Sequence, residues 1–165
     1  MKKVFFFLYI TGIVFLVHTA AFAQLKHLNK VAKLPDHPRI MLLKGEEKGI
    51  QSNIASDKNW ATIHQTILAE SDKIIGLPPL ERIQIGRRLL DKSREALRRI
   101  FMLSYAYRIT RDQKYLNRAE TELLKVSSFS DWNPSHFLDV GEMTMAVAIG
   151  YDWLYNDLQK SSLPI

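Results

Sequence analysis

The chain has 165 residues, room for one domain, and its 47% hydrophobic and 24% charged residues are the composition of a globular protein, not a disordered one. Its 23 Lys and Arg outnumber its 17 Asp and Glu; without Lys2 and Lys3, which lie in a removable N-terminal segment, 21 basic residues face 17 acidic ones, and +4 is too little to indicate nucleic acid. Cysteine is absent, which excludes disulfides, Cys-ligated zinc, covalent haem attachment, thiol catalysis and a lipidated bacterial N-terminus.

Lys2 and Lys3 make a short positive start, residues 4–17 are almost wholly apolar, and Ala21-Phe22-Ala23 supplies a small-x-small cleavage pattern. The apolar run is shorter than the roughly 20 residues of a membrane span, and His18 and Thr19 break it. Residues 1–23 therefore read as a signal peptide, with Gln24 as the first mature residue. An uncleaved anchor is the weaker alternative. The mature protein is expected in the periplasm or the medium of a bacterium, with no membrane attachment after cleavage. Residues 24–36, with Lys26, Lys30 and Lys33, read as an extended leader. Pro38 keeps His37 out of helix, and the first element of the domain starts just after it.

From there the pattern is helical. Residues 44–56 form a weak helix, with Ile50 and Ile54 four apart and two glycines against it. Asp57 is a good N-cap for the next helix, where Trp60, Ile63, Ile67, Leu68 and Ile74 recur at helical spacing until Gly76-Leu77-Pro78-Pro79 stops it. The strongest helix spans about 88–110, with Leu89, Leu90, Leu97, Ile100, Phe101, Leu103 and Tyr107 inward. Arg87, Arg88, Arg94, Arg98 and Arg99 cluster around it. They suit either an anion-binding stripe or a solvated face paired with Asp91 and Glu95. Asp112 caps a helix over about 113–126, with Tyr115, Leu116, Ala119, Leu123 and Leu124 inward, so that 105–116 is the turn of an antiparallel helical hairpin. An aromatic loop, 127–136, leads into a helix over about 139–155 whose only charges past the first residue are Glu142 and Asp152. A helix apolar on every face is expected to be buried on every face, and at about 17 residues flanked by acids it reads as an inner core helix rather than a membrane span.

No convincing strand alternation appears. The fold class is all-α, and outer amphipathic helices followed by an inner apolar one fit an α/α toroid. Five or so helices leave such a ring open, with the 139–155 helix partly uncovered. Ser161-Ser162-Leu163-Pro164-Ile165 reads as the capped start of a further helix, which makes the 37–165 region the N-terminal portion of a larger, truncated domain.

His37-Pro38-Arg39-Ile40, the 107–116 hairpin, Trp132-Asn133-Pro134, Phe137-Leu138-Asp139-Val140-Gly141-Glu142-Met143 and Gly150-Tyr151-Asp152-Trp153-Leu154-Tyr155 occur in that order. Together they resemble the N-terminal toroid of the heparinase II/III-like polysaccharide lyases, which include oligoalginate lyases. The resemblance covers roughly 36–158. It implies an α/α toroid followed by a C-terminal β-sandwich. It also implies β-elimination at the C4–O bond of a uronate-containing polysaccharide, in a secreted or periplasmic enzyme. The chemistry needs a group to offset the carboxylate charge, a His or Tyr base for the C5 proton and a Tyr acid for the leaving oxygen. The family's catalytic Asn, His and Tyr follow the Gly-Tyr-Asp-Trp helix, so no residue of this chain is assigned a catalytic role, and the fragment alone is expected to be inactive.

The residues expected to meet an acidic poly- or oligosaccharide are Trp132 as a stacking face, Asn133 and His136 as donors beside a helix N-terminus, and Glu142 in the first turns of the apolar helix. The same residues suit purely structural roles: Trp132 in the core, Asn133 in an Asx turn, His136 at the cap and Glu142 paired with an arginine. His37 reads as a turn residue. No metal motif, phosphate loop, nucleophile motif or cofactor is indicated. The competing function is a secreted helical-repeat module that binds glycan or protein without catalysis, although no fixed repeat period is visible.

Overall fold

A computed structural model describes residues 34–158. The signal peptide, nearly all of the leader and the capped start at 161–165 lie outside the described residues. Five helices are present: α1 (Glu47–Ser56), α2 (Lys58–Ile75), α3 (Leu90–Thr110), α4 (Gln113–Ser127) and α5 (Phe137–Leu154). Among the described residues there is no strand, only an isolated bridge between Ile85 and Arg88. The helices belong to one compact unit that begins at Asp36. No described helix is long and apolar enough to cross a membrane.

The caps fall where the side chains dictate. The Asp57 carboxylate accepts from the amides of Asn59 and Trp60, and that of Asp112 from the amide of Lys114. The α3–α4 link is two residues long, with Arg111 in the left-handed region at φ 61°. α1 starts at Glu47, later than expected, because 44–46 form a turn with Gly45 at φ 93°. α3 starts at Leu90 because Ile85 and Arg88 exchange backbone hydrogen bonds across a turn with Gly86 at φ 60°.

α3 is the central helix and packs against α1, α2, α4 and α5. Its Ala96, Ile100, Leu103 and Ala106 meet Leu116, Ala119, Leu123 and Val126 of α4 and Met143 and Ala146 of α5 in one core. Phe101 and Leu124, both expected inward, lie at the surface. Gly150 lets α5 approach closely: a Cβ there would sit 2.4 Å from Ile100 Cγ2.

α5 is buried on one side only. Met143, Ala146, Ile149, Trp153 and Leu154 face the core, whereas Phe137 is 87%, Leu138 50% and Met145 48% exposed. The partly uncovered helix expected from the sequence is present.

Three buried carboxylates tie the irregular segments to the helices. Asp152 accepts from the amides of Arg39 and Ile40 at 2.8 and 2.9 Å and lies 2.5 Å from His37 Nδ1. Glu122 accepts from the Leu80 amide at 3.0 Å and from Arg99 and Arg118, which also hold the carbonyls of Ile75, Leu77 and Pro78. Asp139 serves the third segment, the 128–136 loop.

Candidate functional site

The 128–136 loop is built around Asp131, Asn133 and Asp139. Asp131 Oδ1 accepts from the Asn133 amide at 2.7 Å and from Arg82 at 2.7 Å, which fixes the loop to the segment between α2 and α3. Asn133 occupies the left-handed region, φ 59°, a conformation that Asn tolerates better than other side chains. Its Nδ2 donates to the Arg87 carbonyl at 2.9 Å and to Asp139 Oδ2 at 2.7 Å. Asp139 is fully buried and also accepts from the Leu89 amide at 2.6 Å and from Arg88 at 2.7 Å. The Arg88 guanidinium, helped by Asn133 and the Leu89 amide and opposed by burial, lowers the Asp139 carboxyl to about 2.

The four residues singled out by the sequence divide into two groups. Trp132, Asn133 and His136 share the loop. Trp132 is partly buried, donates from Nε1 to the Val126 carbonyl at 2.9 Å, and packs against the main core. With Phe129, Pro134 and Val140 it lines a shallow, mainly apolar recess of about 300 Å³. Asn133 is buried, with both ends of its amide engaged, the oxygen by Ser135 Oγ at 3.0 Å. His136 is the N-cap residue of α5 but makes no side-chain cap bond; its Nδ1 lies 3.1 Å from Ser135 Oγ and 3.3 Å from Asn133 Nδ2. Glu142 stands elsewhere on α5, 3.3 Å from Arg94, with Oε2 buried and without a partner. Its charge reaches Arg88, so a polar chain runs from Asn133 through Asp139 and Arg88 to Glu142 and Arg94.

The arginines around α3 are largely paired. Arg98 and Arg99 hold Glu95, Arg99 reaches Glu122, Arg88 holds Asp139 and Arg94 holds Glu142. Of the two expected partners Glu95 serves and Asp91 does not; the remaining acids come from α4 and α5. Glu95 is lowered to about 2 by hydrogen bonds from Arg98 first and then Arg99, against burial.

His37 has a larger role than a turn. Its ring is held by Asp152 and stacks on Tyr155 with centroids 4.0 Å apart. Trp153 Nε1 donates to the Ile40 carbonyl at 2.8 Å. The partners lie 115 positions apart, beyond the reach of any local sequence pattern. Among the described residues no group of three or more His, Asp or Glu could hold a metal ion. No protein-family model matches the chain, and no curated protein matches it.

Proposed function

We propose that this chain is part of an exported polysaccharide lyase that acts on uronate-containing polysaccharide by β-elimination, and that its helices form one arc of a larger α/α toroid. The observation that carries the reading is mutual engagement of the segments behind the family resemblance. His37, Arg39 and Ile40 bond to Asp152 and Trp153 of the last helix, and Asn133 bonds to Asp139 in the segment that follows its own. Their mutual engagement supports reading them as parts of one unit. The toroid is supported by the outer face of α5, where Phe137, Leu138, Met145 and Tyr151 stand exposed on a helix apolar enough for an interior.

In this reading His136, whose ring contacts only its own loop, meets a sugar at the rim, and Trp132 offers only the ring face left open in the shallow recess, since its indole N–H is spent on the Val126 carbonyl. The elimination itself rests on an Asn, His and Tyr set that this chain is not assigned. A second reading, an exported helical module that binds glycan or protein without chemistry, draws on the same exposed α5 face.

Reading the gene past the codon for Ile165, then assaying the encoded protein, separates them. A continuing frame with Asn-His and Tyr motifs, and ultraviolet absorbance from an unsaturated uronate product on alginate, heparan or chondroitin, supports the lyase. A stop codon there, or a full protein that generates no unsaturated product from any of the three, overturns it.

A further inference from the structure

Residues 37–43 form neither helix nor strand, and the rest of the domain holds them as it would hold a peptide ligand. Most of the hydrogen bonds of their backbone go to side chains outside the segment. Asp152 accepts from the amides of Arg39 and Ile40, Asn156 donates to the His37 carbonyl at 2.8 Å, and Trp153 donates to that of Ile40. Arg108 donates to the carbonyls of Leu42 and Leu43. Recognition through the main chain, with a few side-chain anchors, is how proteins bind extended peptides.

Two side chains anchor the segment: the His37 ring on Asp152, and Leu42, which packs with Ile149 and Trp153. Ile40, Met41 and Leu43 stay 40%, 63% and 44% exposed. Met41 sits in a three-residue turn closed by the Leu42 amide on the Ile40 carbonyl, in a left-handed backbone, φ 61°, that a long side chain seldom adopts. The segment leaves its groove through Gly45, φ 93°, where an added Cβ would meet nothing within 4 Å. α1, which follows, has no buried residue. A few anchors on one side and an open left-handed hinge on the other let the segment move as a unit.

We propose that Arg108, Asp152, Trp153 and Asn156 form a peptide-docking groove whose occupant is exchanged between two copies of this chain: residues 37–43 of each copy swing out about Gly45 and dock in the other. A second copy presents the same segment, so every contact of the groove is kept and only the hinge changes. The tether holds a copy's own segment at an effective concentration of about 1 mM, so the closed monomer prevails at micromolar protein and exchange prevails once the Gly45 turn is disfavoured. The inference is independent of the lyase reading, and it does not draw on Phe137, Leu138 or Met145.

Sedimentation velocity of the chain and of Gly45→Val at matched micromolar concentration tests it. Valine resists the left-handed turn and accepts an extended hinge, so the dimer fraction is expected to rise about five-fold or more over the unsubstituted chain. Adding His37→Ala or Asp152→Asn to Gly45→Val, or adding an excess of a synthetic peptide of residues 36–44, should return it to monomer, because each empties or blocks the groove. Adding Phe137→Lys with Met145→Lys should leave the dimer intact. A Gly45→Val chain that stays monomeric, folded or not, overturns the proposal. So does a dimer that survives both groove substitutions and the peptide, or one dispersed by the substitutions on the outer face of α5. None of these results bears on whether the encoded protein cleaves polysaccharide.

Discussion

Asn133 and His136 lie three positions apart and are expected to respond to truncation in different ways. Asn133→Ala removes donors to the Arg87 carbonyl and to a buried carboxylate, and leaves alanine in a left-handed backbone. A loss of about 3 kcal/mol is expected in urea unfolding. Asn133→Gly, which relieves the backbone, should lose less. His136→Ala removes only a partly exposed ring with contacts to its own loop, and should stay within about 0.5 kcal/mol. If His136→Ala costs as much as Asn133→Ala, its ring is structural and leaves the list of sugar contacts. The acid response also belongs to single residues. Asp139 and Glu95 are both lowered to about 2 on folding, from 3.8 and 4.5, by Arg88 and by Arg98 with Arg99 respectively. Groups lowered on folding stabilise fully above their unfolded values, and that stability is lost as pH falls toward the folded ones. The urea midpoint should therefore hold down to about pH 5 and drop between about pH 4.5 and 2. Asp139→Asn should flatten the lower part of that drop; a midpoint that does not change with pH would contradict the ion-pair assignments.

At the scale of the elements, helix position was legible wherever a single side chain decides it. Asp57 and Asp112 cap α2 and α4 as their types require. The starts of α1 and α3 shifted because glycine turns at Gly45 and Gly86 precede them, and a helical period does not reveal a turn of that kind. The close approach of α5 to α3 rests on Gly150, which no helical period singles out in the sequence. Gly150→Ala gains helix propensity but drives a methyl into Ile100 and Leu123, so a net loss of about 1–3 kcal/mol is expected by thermal or urea unfolding. A stabilised variant would mean that α3 and α5 separate more readily than the packing suggests.

For the whole molecule the outstanding feature is the uncovered side of α5, with Phe137, Leu138, Met145 and Tyr151 outward. The chain on its own should bind a hydrophobic dye while folded. Phe137→Lys with Met145→Lys should lower that emission and leave the melting temperature nearly unchanged, because neither side chain enters the core. Dye emission that is absent, or unaffected by the double substitution, would show that the face is covered in solution. Sequence alone determined the all-helical class, because apolar spacing and aspartate caps act within a few residues. It also marked the last helix as apolar on every face, but the fold buries only one side of it. The tertiary structure decided which polar residues are structural. Asp152 meets His37, Glu122 meets Leu80 and Asp139 meets Leu89 only after helices far apart in the chain are packed. A buried carboxylate and a solvated one are the same letter in sequence. What separates them is the loss of water around the group, and only the folded chain removes it.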